Sequence, residues 1–198
     1  MQPALGLLEF SSIAAGIQAG DAMVKRAPVS TLHAGTVHPG KYLVLVGGEV
    51  ASVEEALRAG RLAGGRALVD EVFLPAVDPA VVAAIVGARQ ARLGEALGIL
   101  ETQSVAATIA AADAAVKGAR VRLLEVRLAD GLGGKAYALL AGAVTDVEAA
   151  VEIGARSLDA GHRPGLLIER VVIARLHGEM RANLEAHPEF APRVRAAG

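Results

Sequence analysis

Along this chain the hydrophobic positions switch between a strand-like and a helix-like spacing, and the switching runs through the same order twice. Pro3–Glu9 is a short apolar run closing on an acid, which predicts a buried strand. Ser11 or Ser12 is placed to cap the helix that follows, where Ile13, Ile17, Gly20, Met23 and Val24 recur at helical spacing. Pro28 ends that helix, because its ring disfavours helical geometry at Ala27. Val29–Val37 reads as a strand, His38-Pro39-Gly40 as a sharp turn, and Tyr42–Val46 as a second strand rich in residues that favour the extended form. Gly47-Gly48 is expected to break it. A helix over Val50–Ala63, with Val53, Ala56, Leu57 and Gly60 on one face, a strand over Ala67–Leu74 and a short helix over Pro79–Val86 complete the first half. Pro79 stands in the first helical turn, where proline is favoured.

The second half repeats the first. ALGLLEFSSIAAGIQAGDAMVK at Ala4–Lys25 returns as ALGILETQSVAATIAAADAAVK at Ala96–Lys117, identical at 14 of 22 positions. The stretch from Gly40 to Glu54 is answered by that from Gly134 to Glu148, with two extra residues in the second copy before Lys135. A period this long matches a small whole domain rather than a solenoid unit. The second copy should therefore carry a strand at Ala96–Glu101, a helix at Ser104–Ala119, strands at Val121–Leu128 and Ala136–Leu140 around the loop Ala129–Gly134, and a helix at Val144–Leu158. A turn at Gly161–Gly165, a strand at Leu166–Ile173 and a helix at His177–Leu184 follow. The order β-α-β-β-α-β, twice, predicts an α+β chain of two tandem ferredoxin-like (split βαβ) domains. We place them at residues 1–87 and 95–186, with 187–198 as a loose tail.

Composition narrows the function. The 198 residues are 53% hydrophobic and 21% charged, more apolar surface than two small domains can bury alone, so extensive subunit contacts are expected. No run of about 18 uncharged apolar residues suggests a membrane span. A net charge of −1 offers no clustered basic footprint for nucleic acid. The absence of cysteine excludes disulfides, thiolate nucleophiles and thiolate-held clusters. The first residues lack a basic segment and a small-residue cleavage site, so a cytosolic protein is expected.

Candidate chemistry is sparse. Gly35–Lys41 fits GxxxxGK, but a phosphate loop needs a following Ser or Thr and a helix N-terminus; here Tyr42 follows and opens a strand. No histidine pair shows metal-ligand spacing. Glu9 with Glu101, and Asp21 with Asp113, recur in both copies, which favours a role in the shared fold over catalysis. Lys25 and Lys117 each close a helix at the same position. They are either solvated residues favoured at a helix C-terminus or a repeated edge contact.

The paired ALGLLE and ALGILE openings, Asp21–Lys25, Asp113–Lys117, Gly48–Glu54 and the Ile173–His177 ending together resemble the bacterial microcompartment shell proteins. Two fused copies are similar to the tandem-domain, trimer-forming class of that family, from about Ala4 to Leu184, in the unpermuted order. The resemblance implies a flat homotrimeric pseudo-hexamer that tiles a shell with other shell proteins, and a central pore for small polar metabolites. The pore would be lined by Val37, His38, Pro39 and Gly40 alternating with Gly131, Leu132, Gly133 and Gly134. It places Lys25, Lys117 and Arg175 at tile edges, although the first copy has Ala76 where the second has Arg175.

Within that class the propanediol-utilisation members carry Cys-Pro-Gly-Lys at the first pore turn and an iron–sulfur cluster in the pore. Here the turn is His38-Pro39-Gly40-Lys41, and without cysteine that cluster has no ligands. His38 is open to three readings: a surface-turn histidine, a proton-sensitive rim, or one of three imidazoles holding a metal ion on the threefold axis. The reading as a whole is a non-enzymatic shell tile. The alternatives are a trimeric ferredoxin-like sensor that binds a small molecule between subunits, and a small carboxylate enzyme for which the chain offers no clustered acids.

Overall fold

The structure, a computed structural model, describes residues 3–88, 93–160 and 165–186. Four strands and three α-helices build the first half: β1 (Ala4–Phe10), α1 (Ile13–Arg26), β2 (Thr31–Val37), β3 (Lys41–Gly48), α2 (Val50–Gly64), β4 (Leu68–Leu74) and α3 (Pro79–Ile85). The second half repeats them as β5 (Ala96–Thr102), α4 (Val105–Gly118), β6 (Arg122–Leu128), β7 (Ala136–Gly142), α5 (Val144–Ala160), β8 (Leu167–Ala174) and α6 (Gly178–Ala186). Each half forms a four-stranded sheet, in the orders β2-β3-β1-β4 and β6-β7-β5-β8, with every pairing antiparallel. This is the split βαβ arrangement expected from the order of elements. The tail 187–198, most of the 161–165 turn and part of the stretch between the halves lie outside the described residues.

The central strand explains why the fold is specified so firmly. β1 is hydrogen-bonded on both sides and buried along its whole length, so it reads as a continuous apolar run. On the covered face of the sheet the helices come unusually near. A Cβ on Gly16 would stand 2.6 Å from Tyr42 Cδ1, and one on Gly60 would stand 2.5 Å from Leu8 Cδ1. Glycine at these helix positions is the condition for that approach. The buried face of α2 is Val53, Ala56, Leu57 and Gly60 together with Gly64, matching the stripe read from the sequence.

Two expectations need correction. Gly47 and Gly48 do not break β3: they pair with Leu5 and Ala4, and Gly47 also pairs with Thr31. Pairing on both sides of Gly47, and with β1 at Gly48, holds them extended despite their weak strand preference. The apolar stripe of α1 is split as well. Gly16, Ala19, Gly20 and Met23 face the sheet, whereas Ile13, Ile17 and Val24 are exposed.

The matching residues of α4 explain the split. Val105 and Ile109 are fully buried, because α4 lies against β4 and β1 of the first half. In return α3 crosses to cover β6 of the second half. One continuous apolar core therefore runs through both halves, from Leu5, Leu43 and Val81 to Ile109, Leu140 and Leu158.

Candidate functional site

The seam between the halves is held at both ends by buried polar contacts. At the start of α4, Glu9 is wholly buried and accepts from Lys41 Nζ at 2.6 Å and from the Val105 N–H at 2.9 Å. Ser104 caps α4 by accepting from the Ala107 N–H, and its own hydroxyl donates to Asp70. At the far end of the same helix Asp113 accepts from the Asp78 N–H at 2.8 Å and from Lys117 Nζ at 2.6 Å. Lys117 also donates to the Ala76 carbonyl. Glu9 and Asp113 are thus satisfied structural acids, as their recurrence in both copies suggested, and they sit at opposite ends of the seam.

Next to the Glu9–Lys41 end, the two inter-strand turns meet. The first, Val37–Gly40, has a cis His38–Pro39 peptide and Gly40 at φ 101°. The second runs from Ala129 to Gly134, with Ala129, Gly131, Gly133 and Gly134 all at positive φ, a path that three glycines make inexpensive. Gly134 packs against the first turn, since a Cβ there would lie 3.0 Å from Pro39 Cδ. His38 Nδ1 stands 2.7 Å from Asp130 Oδ1, with both side chains more than two-thirds exposed. Val37 and Leu132 are half-buried behind them.

The structure thus brings the eight turn residues singled out from the sequence to one place. It adds Asp130, which sequence reasoning left inside a loop without a role. The GxxxxGK match dissolves: Gly35–Lys41 runs from β2 through the turn into β3, and the Lys41 ammonium is committed to Glu9.

The three edge candidates lie away from the turns. From Val105, beside Glu9, to Lys117 the helix advances about 18 Å. Lys117 therefore marks the other end of the seam, next to Ala76. Lys25 occupies the same position on α1, exposed and paired with Asp21 at 2.6 Å. Arg175 is exposed at φ 53°, with its N–H donated to the Glu95 carbonyl.

The free faces of the chain are complementary. α1 presents Ile13, Ile17, Asp21 and Lys25 where α4 presents Val105, Ile109, Asp113 and Lys117 to the seam. β8 with the Arg175–His177 corner stands free where β4 with the Ala76–Asp78 corner is covered. β2 is largely exposed, while its counterpart β6 is largely buried under α3. A cleft of about 670 Å³ beside β2, lined by Leu5, Thr31, His33, Leu45, Val82 and Ile85, remains open.

The described residues contain no helix long and apolar enough to cross a membrane, and no three potential metal-ligating side chains cluster within one chain.

The duplicated fold, with its paired turns, matches one family. The BMC domain profile fits residues 4–77 and again 96–176, and the chain belongs to that family, as a tandem two-domain member. Among its relatives is the bacterial microcompartment shell protein PduT of Citrobacter freundii, 46% identical over 180 residues, covering 91% of this chain and 96% of that one. The microcompartment shell protein EutM of Salmonella typhimurium is 42% identical over 86 residues, covering 43% of this chain and 84% of its own. A crystal structure of a microcompartment protein from Desulfitobacterium hafniense superposes with a TM-score of 0.78 at 41% identity, covering 91% of this chain and 99% of the other.

Proposed function

We propose that the chain is a structural shell protein of a bacterial microcompartment, in which three copies close a flat ring of six domains around a narrow opening. Its relatives bear shell-protein names, and the complementary free faces carry the reading. A seam joins the first domain to the second through α4, β4 and α3. The same chain ends on one side with an unused α1 and β2, and on the other with an unused β8 and α6. Joining these head to tail repeats the seam and closes when the ring returns to its start.

In the repeated seam Asp21 accepts from the His177 N–H, Lys25 donates to the Arg175 carbonyl, and Glu101 accepts from the Ile13 N–H, each partner belonging to a neighbouring copy. Helix α6 covers β2 and fills the open cleft. Because the turns lie at one end of every seam, they gather at the ring centre. Val37–Gly40 and Gly131–Gly134 alternate around the opening, which passes small polar metabolites according to its width and the groups on its rim. Lys25, Lys117 and Arg175 lie at the outer ends of the seams, where neighbouring tiles of this and other shell proteins meet. The role is structural rather than enzymatic.

Light scattering under conditions that suppress tiling tests the ring: the expected mass is about 60 kDa, three times the chain mass of 20.1 kDa. Electron microscopy of overexpressed protein is expected to show sheets, tubes or hexagonal arrays. Discrete particles that never tile, with melting raised by a saturable small ligand, would instead favour a sensor.

A further inference from the structure

The pairing of His38 with Asp130 fixes more than the contact between two turns. A carboxylate accepts hydrogen bonds and has none to give, so at 2.7 Å the hydrogen lies on His38 Nδ1. In the neutral ring the lone pair is then on Nε2, the nitrogen away from Asp130. The side chain is 71% exposed, which leaves it open to a ligand. This is the arrangement by which a carboxylate orients a metal-binding imidazole, fixing its tautomer and ring orientation.

The charges around it also favour a cation. Lys41 and Lys135, the nearest basic residues in sequence to the two turns, pair with Glu9 and Glu101, and the Asp130 carboxylate faces His38. Pro39 against Gly134 braces the first turn on the second.

We propose that three copies of this chain form a divalent-metal site at the ring centre, with His38 Nε2 of each as ligand and Asp130 of each as the positioning carboxylate. The site rests on the three-chain ring proposed above, since one chain supplies a single imidazole. Three neutral nitrogens suit Zn(II), Co(II) or Ni(II), and they leave a further position for water or a small anionic or carbonyl-bearing metabolite. The duplication makes such a site possible: it puts histidine in every second turn and a supporting acid in the turns between.

The test uses the intact assembled protein, stripped with chelator and titrated with Zn(II), with native mass spectrometry reading assembly and metal together. We expect one zinc per three chains, and a Co(II) form with the visible bands of a four-coordinate nitrogen-rich site. His38→Ala should keep the trimer and lose the metal. Asp130→Asn should keep the trimer and weaken zinc binding by about 10- to 100-fold.

A trimer that takes up no zinc, one zinc per chain, or zinc uptake unchanged in His38→Ala would overturn the site while leaving the ring standing. Unchanged affinity in Asp130→Asn would overturn the part given to Asp130. A chain that stays monomeric at all concentrations would overturn the ring and the site together.

Discussion

Glu9 is the residue on which the seam depends most directly. Its carboxylate is buried between the Lys41 ammonium and the Val105 N–H, so removing it strands both donors. Glu9→Ala should destabilise the chain by about 3–5 kcal/mol, the usual cost of breaking one side of a buried pair, read as a lowered midpoint in urea. Gly154→Ala should also be costly, by about 1–3 kcal/mol for overpacking, because the new Cβ would stand 2.9 Å from the Ala111 carbonyl oxygen.

The surface network around Glu55 makes a smaller prediction. Arg26 first, and then Arg58, hydrogen-bond its carboxylate and hold its pKa below the ordinary 4.5. A lowered folded value means the stabilisation is present above the unfolded value and is lost as pH falls through the folded one. NMR titration of Glu55 should show the depressed midpoint, and Arg26→Gln should raise it. Because these side chains are exposed, the effect on stability is small and fades with salt. At this scale the sequence made the turn residues visible through their glycines, Pro39 and His38. It hid Asp130, because a partner 92 positions away is chosen by how two loops fold rather than by any local pattern.

The helices α1 and α4 show how one sequence pattern meets two environments. Both carry a stripe of large apolar residues at the same spacing, yet Ile17 is exposed and Ile109 is fully buried. Helical periodicity reports that a face is covered, without saying whether its own chain or another covers it. The strand order and both sheets were legible because alternating element types and a repeated block leave few topologies open. The continuation of β3 through Gly47-Gly48 was not, since pairing with β1, joined by β2 at Gly47, overrides the weak strand preference of glycine.

The contrast gives a matched pair of experiments. Ile109→Glu should unfold or strongly destabilise the second half, by several kcal/mol, for a charge placed in an apolar core. Ile17→Glu should leave the circular dichroism spectrum and melting of the monomer intact but abolish the 60 kDa species in light scattering. Equal loss of secondary structure in both variants would mean that α1 serves only its own domain.

At the scale of the whole molecule, two domains of one chain already share a core, and that sharing sets how a ring of them behaves. One kind of joint is made within each chain, where the tether holds its two faces at high effective concentration. In the ring proposed above, the other kind forms only when separate molecules collide, through α1, β2, β8 and α6. Diluting the protein should therefore release folded single chains and never separated half-chains. A cysteine pair placed across the joint between chains, at Ile17 and a facing position on β8, should trap the closed form on oxidation and remove its dependence on concentration.

The fusion also halves the symmetry that a ring of identical domains would have. In the proposed ring, with histidine on one turn and aspartate on the next, the rim reads acid and base by turns, so any guest held there by imidazole would meet three equal neighbours and never six. Its occupancy would be counted in whole rings, and mixing chains that have lost His38 with intact ones should extinguish binding faster than the intact fraction falls.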